Sequence, residues 1–141
     1  MNLIWVFIGG GIGAAMRWYL SNSFQSGGNF PIATLSINLS GCLLIGILSV
    51  LVLQYPKGSL FLITGLLGGF TTFSSFGLDA FRLLQLQEYK NFVVYVALSN
   101  ILGIALVIIA HKITTFLIEK LYEKNYFNSF TNWYVIQCFS R

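Results

Sequence analysis

Charge is what this chain has least of. Only 9% of its 141 residues are charged, eight Lys or Arg against four Asp or Glu, where an average soluble domain carries about 25%. So few ionic groups cannot clothe a water-facing surface. The net charge of +4 is scattered along the chain rather than clustered, which excludes a nucleic-acid footprint. Cysteine is equally rare. Cys42 and Cys138 lie far apart, one of them inside an apolar run, so neither a disulfide framework nor a Cys/His metal pattern follows. The one histidine, His111, stands at the end of an apolar run, where an interfacial role is expected rather than catalysis or metal binding. No carboxylate pair and no nucleophile–base pair stands out, so an enzyme is not expected.

What fills the chain instead is apolar: 56% of residues are hydrophobic, and the mean hydropathy is +0.77. That composition reads as an all-α integral membrane protein with four transmembrane helices, at residues 3–20, 31–53, 60–84 and 92–110. The first run holds 18 residues and as a helix is about 27 Å long, enough for the hydrocarbon core. It lacks a preceding basic region, so it is expected to be a retained span rather than a cleaved signal. Gly9 and Gly13 give it small-xxx-small spacing for close helix contact. Arg17 sits near its end, where a long side chain snorkels to the interface. Residues 54–59 read as a turn with Ser59 as an N-cap, and Asp79 and Arg82 are spaced to pair at i, i+3. Residues 119–141 form a C-terminal tail with no assigned role; 119–124 can extend the fourth helix, and 125–141 are rich in aromatics and Asn/Ser without clear periodicity.

The third run breaks the rules for a membrane helix. In Gly68-Gly-Phe-Thr-Thr-Phe-Ser-Ser-Phe76 two glycines weaken the helix, and Thr71, Thr72, Ser74 and Ser75 then supply hydroxyls. An unpaired backbone group in hydrocarbon costs several kcal/mol, so a helix interrupted there needs polar repair. An interruption near the centre of a span usually marks an ion or substrate site. Phe73 and Phe76, at i, i+3, bracket two of the hydroxyls. They read either as ordinary packing or as electropositive ring edges for an anion. Asn38 shares a face with Thr34 and Gly41; it is either a helix–helix hydrogen-bonder or a donor of two N–H groups to an anion. Tyr95, Ser99 and Gly103 recur one turn apart on the fourth run.

Two local motifs carry nothing. The loose G-x-G-x-x-A at residues 9–14 follows no strand and has no acidic residue about 20 positions on, so helix packing explains it better than a dinucleotide. The glycosylation sequon at residues 38–40 lies at membrane depth. Topology is more telling. With four spans, and leaving out the tail beyond Leu121, Lys57, Lys112 and Lys120 share one side and Arg17, Arg82 and Lys90 the other; counting Lys124 and Arg141 makes it only five against three. The positive-inside rule then sets no orientation, and insertion both ways permits an antiparallel dimer.

The motif at residues 68–76, the Gly-rich first helix ending in Arg17, and Thr34-Leu-Ser-Ile-Asn-Leu-Ser-Gly41 together resemble the CrcB/Fluc fluoride channel family. The resemblance spans about residues 5 to 115 and implies a four-helix channel domain within residues 1–118, a broken third helix, and an antiparallel, dual-topology dimer of identical or paralogous chains. It also implies a structural sodium ion that is not transported, held by the backbone carbonyls of Gly68 and Thr71. The fluoride pore falls on Asn38, Phe73, Phe76 and Ser75, with Tyr95 and Ser99 as a polar track and Arg17 at a vestibule or interface. Gly103 stands where family members often have another hydroxyl. The function implied is passive fluoride export across a bacterial or archaeal cytoplasmic membrane. The alternative is a small dual-topology proton-coupled multidrug exporter, which needs a membrane-embedded carboxylate. The first helix has none, and Asp79 lies towards the end of the third, close to Arg82.

Overall fold

The computed structural model describes residues 2–24 and 28–139, with side chains as far as Lys124. Every regular element among them is helical. Helix α1 is Asn2–Ser23 and α2 is Ile32–Leu51. Helix α3 covers residues 56–70, with a π-helical stretch Leu60–Leu67 between Pro56–Ser59 and Gly68–Phe70. Helix α4 is Phe73–Gln85. Helix α5 covers residues 89–139, as Tyr89–Ala97, a second π-helical stretch Leu98–Leu102, and Gly103–Phe139. Among the described residues four stretches are long and apolar enough to cross a membrane: Asn2–Ser23, Ile32–Leu51, Pro56–Gln85 and Tyr89–Lys124. The protein is an all-α, multi-pass membrane protein.

Three local expectations change. The third span begins at Pro56, not after Ser59: Pro fits the first helical turn because its missing N–H has no intrahelical partner to lose, and Ser59 makes no capping bond. The fourth helix runs past Ala110 and through residues 119–124, as the sequence allows, but it also continues over 125–139, where no periodicity is legible, to Phe139. The chain divides into two compact units, Met1–His111 and Lys112–Arg141; within the second, Lys120 Nζ lies 4.9 Å from the centre of the Phe116 ring. Finally, Gly68 and Gly69 stay helical. The extended backbone falls on Thr71 (φ −81°, ψ 156°) and Thr72 (φ −150°, ψ 115°) instead.

Glycine in these helices serves close approach. A Cβ on Gly13 would overlap Leu66 O and lie 2.8 Å from Phe70 N, and one on Gly9 would overlap Phe61 O. From the other side, a Cβ on Gly65 would lie 3.0 Å from Gly9 Cα, and one on Gly69 would overlap Gly10 O. Glycines spaced by four on both partners thus let α1 and α3 run backbone against backbone. On α2, Gly46 does the same for the fourth span, where a Cβ would lie 2.6 Å from Val107 O. Beside it Ser49 Oγ lies 2.9 Å from His111 Nδ1, so His111 joins the second span to the fourth.

Two buried clusters flank the extended segment. Ile37, Leu67 and Phe70 form one, with Leu20 and Leu66 packed on it. Ala80, Leu83 and Tyr95 form the other, with Phe30, Phe76 and Phe92 around it. At one end of the bundle Glu88 ties two loops: Asn29 Nδ2 donates to its Oε1 at 2.5 Å and Asn91 Nδ2 to its Oε2 at 2.6 Å. Gln87, with φ 58°, takes the left-handed turn that ends α4.

Two outcomes follow. Gly13→Ala drives a methyl into backbone that cannot yield and lowers stability by about 1–3 kcal/mol, whereas Gly11→Ala meets nothing within 4 Å and changes little; thermal unfolding in detergent separates them. The Asn29 and Asn91 hydrogen bonds hold the Glu88 carboxyl below its ordinary 4.5. A carboxyl depressed in the fold stabilises it above its unfolded pKa and loses that contribution as pH falls through the folded one. The melting temperature of Glu88→Ala therefore lies below that of the parent at neutral pH, and the gap closes on acidification.

Candidate functional site

The site is organised by what happens to backbone hydrogen bonds between α3 and α4. Thr71 N–H still donates to Leu67 O at 2.9 Å, and Thr71 Oγ1 adds a second bond to the same oxygen at 2.9 Å. Beyond it the helical pattern stops. Thr72 N–H donates to Asn38 Oδ1 at 2.9 Å, and Asn38 Nδ2 donates to Thr72 O at 3.1 Å. One amide side chain thus satisfies both peptide groups of an extended residue, which in hydrocarbon would otherwise stay unpaired. Thr72 also caps α4: its Oγ1 accepts from Ser75 N–H at 3.2 Å and donates to Ser75 Oγ at 3.1 Å.

The amides that would close a continuous helix onto Gly68 O and Thr71 O are those of Thr72 and Ser75, and both are spent on side chains. Gly69 O accepts from Arg17 Nε at 3.2 Å. The segment therefore joins the C-terminal end of α3, where partial negative charge gathers, to the N-terminal end of α4, where partial positive charge gathers. The first suits a cation and the second an anion.

Asn38, Gly68, Thr71, Phe73, Phe76 and Ser99 line one pocket of about 340 Å³. Gly41 opens it, since a Cβ there would overlap Thr71 Cγ2. Ring centres of Phe73 and Phe76 are 5.5 Å apart, and Phe76 lies 5.2 Å from Tyr95. Phe73 is 82% exposed in the single chain, whereas Phe76 packs on the buried cluster around Tyr95. The hydroxyls of Tyr95 and Ser99 are buried; among the described residues Ser99 Oγ has no hydrogen-bond partner, whereas Tyr95 lies close to Thr34 and Asp79. Asp79, in the third span, accepts from Thr34 Oγ1 at 2.6 Å and pairs with Arg82 at 3.7 Å.

The residues singled out from sequence fall as follows. Six share the pocket; Ser75 sits behind it, bonded to Thr72; Tyr95 backs Phe76; Arg17 reaches Gly69. Sequence reasoning noticed Thr72 as a hydroxyl but not as the clamped residue. Its signal was a Thr immediately before an apolar helical run, the usual N-cap choice. Cys42 and Asn100 also line the pocket and carried no sequence signal.

Fold and site define a class: a small polytopic membrane protein whose polar groups converge at mid-span. Comparison then names the family. The family described as "CrcB-like protein, Camphor Resistance (CrcB)" matches residues 4–111, and the chain belongs to it. A relative from Helicobacter acinonychis (strain Sheeba), named "Fluoride-specific ion channel FluC", is 41% identical over 113 residues, 74% of this chain and 89% of its own. A protein of the same name from Helicobacter pylori (strain J99) is also 41% identical over 113 residues, 74% of this chain and 87% of its own. One from Methylobacterium sp. (strain 4-46) is 44% identical over 110 residues, 74% and 89% of the two chains.

Asn38→Ala leaves the N–H and C=O of Thr72 without partners, each costing about 1–3 kcal/mol when buried. The Thr72 amide then exchanges with solvent much faster than in the parent, while amides at the middle of α2 do not, as hydrogen-exchange mass spectrometry or NMR reads.

Proposed function

We propose that this protein is a fluoride-selective channel, not an enzyme, and that it lets fluoride leave the cytoplasm passively across the cell membrane. Membership of the CrcB family and 41–44% identity to proteins named fluoride-specific ion channels carry this reading. The site's chemistry supports it. Fluoride is small and gives up its hydration only where close donors replace it. The first amides of α4, the hydroxyl of Ser99, and the electropositive rims of Phe73 and Phe76, with Tyr95 packed behind Phe76, are donors without full positive charge. Such a lining binds an anion weakly enough to release it. Asn38 serves this path by holding the Thr72 backbone through its Oδ1 and one N–H, which leaves the second N–H of the same amide as a donor for an anion. Asp79 is engaged by Thr34 and Arg82, which speaks against a free carboxylate that couples protons.

The third span is read as a helix broken at residues 71–72, and the working unit as an antiparallel dimer of this chain. Two facts favour a second chain: Phe73 lines the pocket yet is 82% exposed, and positive charges divide evenly across the membrane for residues up to Lys120. Related by a two-fold axis, two such segments aim their carbonyls at one point. Gly68 O and Thr71 O fit a structural sodium there, because the amides that would close the helix onto them bond elsewhere. Bound in place, the ion supplies positive potential for anions and holds the interface.

Reconstituted in liposomes, the protein releases fluoride and retains chloride, followed by ion-selective electrodes. Loss of fluoride release, or equal release of chloride, would overturn the reading. Phe76→Ile cuts fluoride efflux at least about tenfold, equivalent to roughly 1.4 kcal/mol, while the purified assembly elutes unchanged.

A further inference from the structure

We propose that Arg17 is a positioning residue for the cation site. It takes the carbonyl of Gly69 for itself and so fixes the backbone that points Gly68 O and Thr71 O at the ion. This rests on the sodium reading above and deepens it.

The inference starts from one line of α1. Gly9, Gly13 and Arg17 recur every four residues and lie on one face. The first two lack side chains because the third span's backbone is against them, at 2.8 Å from Phe70 N for a Cβ on Gly13. One turn later that contact ends, and the next position on the same face carries the longest of cationic side chains. Arg17 is half-buried, and its Nε reaches Gly69 O at 3.2 Å across 52 residues of sequence.

The carbonyl it meets is one that needs a partner. In an unbroken helix Gly69 O would accept from Phe73 N–H. With Thr71 and Thr72 extended, Phe73 instead opens a new helix. A guanidinium is always protonated and is a strong donor, so it satisfies the oxygen permanently. Gly69 cannot shift to find another donor, because the Gly10 backbone abuts it. Three neighbouring carbonyls are thereby sorted. Gly69 O is claimed by a fixed positive group, which also repels a mobile cation from that oxygen. Gly68 O and Thr71 O, whose usual amides are diverted to Asn38 and Thr72, remain for the ion. A snorkelling arginine would bond to lipid phosphate and leave ion binding untouched.

The test is sodium-dependent thermal stability of the full chain in detergent, with potassium replacing sodium at constant ionic strength. The parent melts higher in sodium. In Arg17→Met the half-maximal sodium concentration rises about tenfold, the loss expected for one charge-assisted hydrogen bond. In Arg17→Lys, which keeps the charge but not the fork, it rises less. Arg82→Met, remote from these carbonyls, leaves it unchanged. The sodium needed for fluoride efflux shifts in the same order. An unchanged or lowered sodium midpoint in Arg17→Met, beside a responding parent, removes Arg17 from the ion site and leaves the sodium reading standing. A parent with no sodium-specific shift overturns the sodium reading and this inference together. Should Arg17→Met fail to fold, Arg17→Lys decides by the same criterion.

Discussion

The pair of hydrogen bonds between Asn38 and Thr72 is the constraint on which the rest depends. A residue with extended dihedrals in the middle of an apolar span exposes a donor and an acceptor where no water is available to meet them. Asn carries one acceptor and two donors on a single planar group and can answer both at once. Because the clamp comes from α2, the position of α2 against the third span decides where the helix can lapse. That position is itself set by Ile37 and Phe70 in one buried cluster, and by the space left at Gly41 for Thr71.

From that clamp the functional surroundings follow. Once Thr72 is held extended, α4 must start afresh, and Thr72 Oγ1 caps it. The ends of two helices then meet with opposite partial charges, so an anion-favouring region and a cation-favouring region sit within a few residues of each other. The Phe73 and Phe76 rings of α4 itself and Ser99 of the fourth span line the same pocket as Asn38. Asp79 and Arg82, which could disturb that balance, pair with each other, and Asp79 also accepts from Thr34.

Glycine is used here to let helices touch rather than to let them bend. Gly9, Gly13, Gly65 and Gly69 bring α1 and the third span to backbone contact, and Gly46 does so for α2 and the fourth. Without a hydrophobic drive between helices in lipid, such contact is a main source of association energy. It also makes the register of α1 against the third span rigid, which is why the guanidinium of Arg17 arrives at one particular carbonyl.

Much was legible in the residues alone. Scarce charge and four long apolar runs determine a multi-pass helical membrane protein, because only helices or closed barrels satisfy backbone groups in hydrocarbon. The motif at residues 68–76 located the candidate site, and the small-xxx-small spacing of Gly9 and Gly13 identified a contact face. What tertiary structure alone decided is which residues leave helical geometry. Intrinsic propensity points to Gly68 and Gly69, but these stay helical, with the Gly10 backbone of α1 packed against Gly69; Thr71 and Thr72 are extended because Asn38, 34 residues away from Thr72, repairs the latter. Local sequence records a residue's own preference. It does not record which distant side chain will meet the hydrogen bonds that preference leaves open.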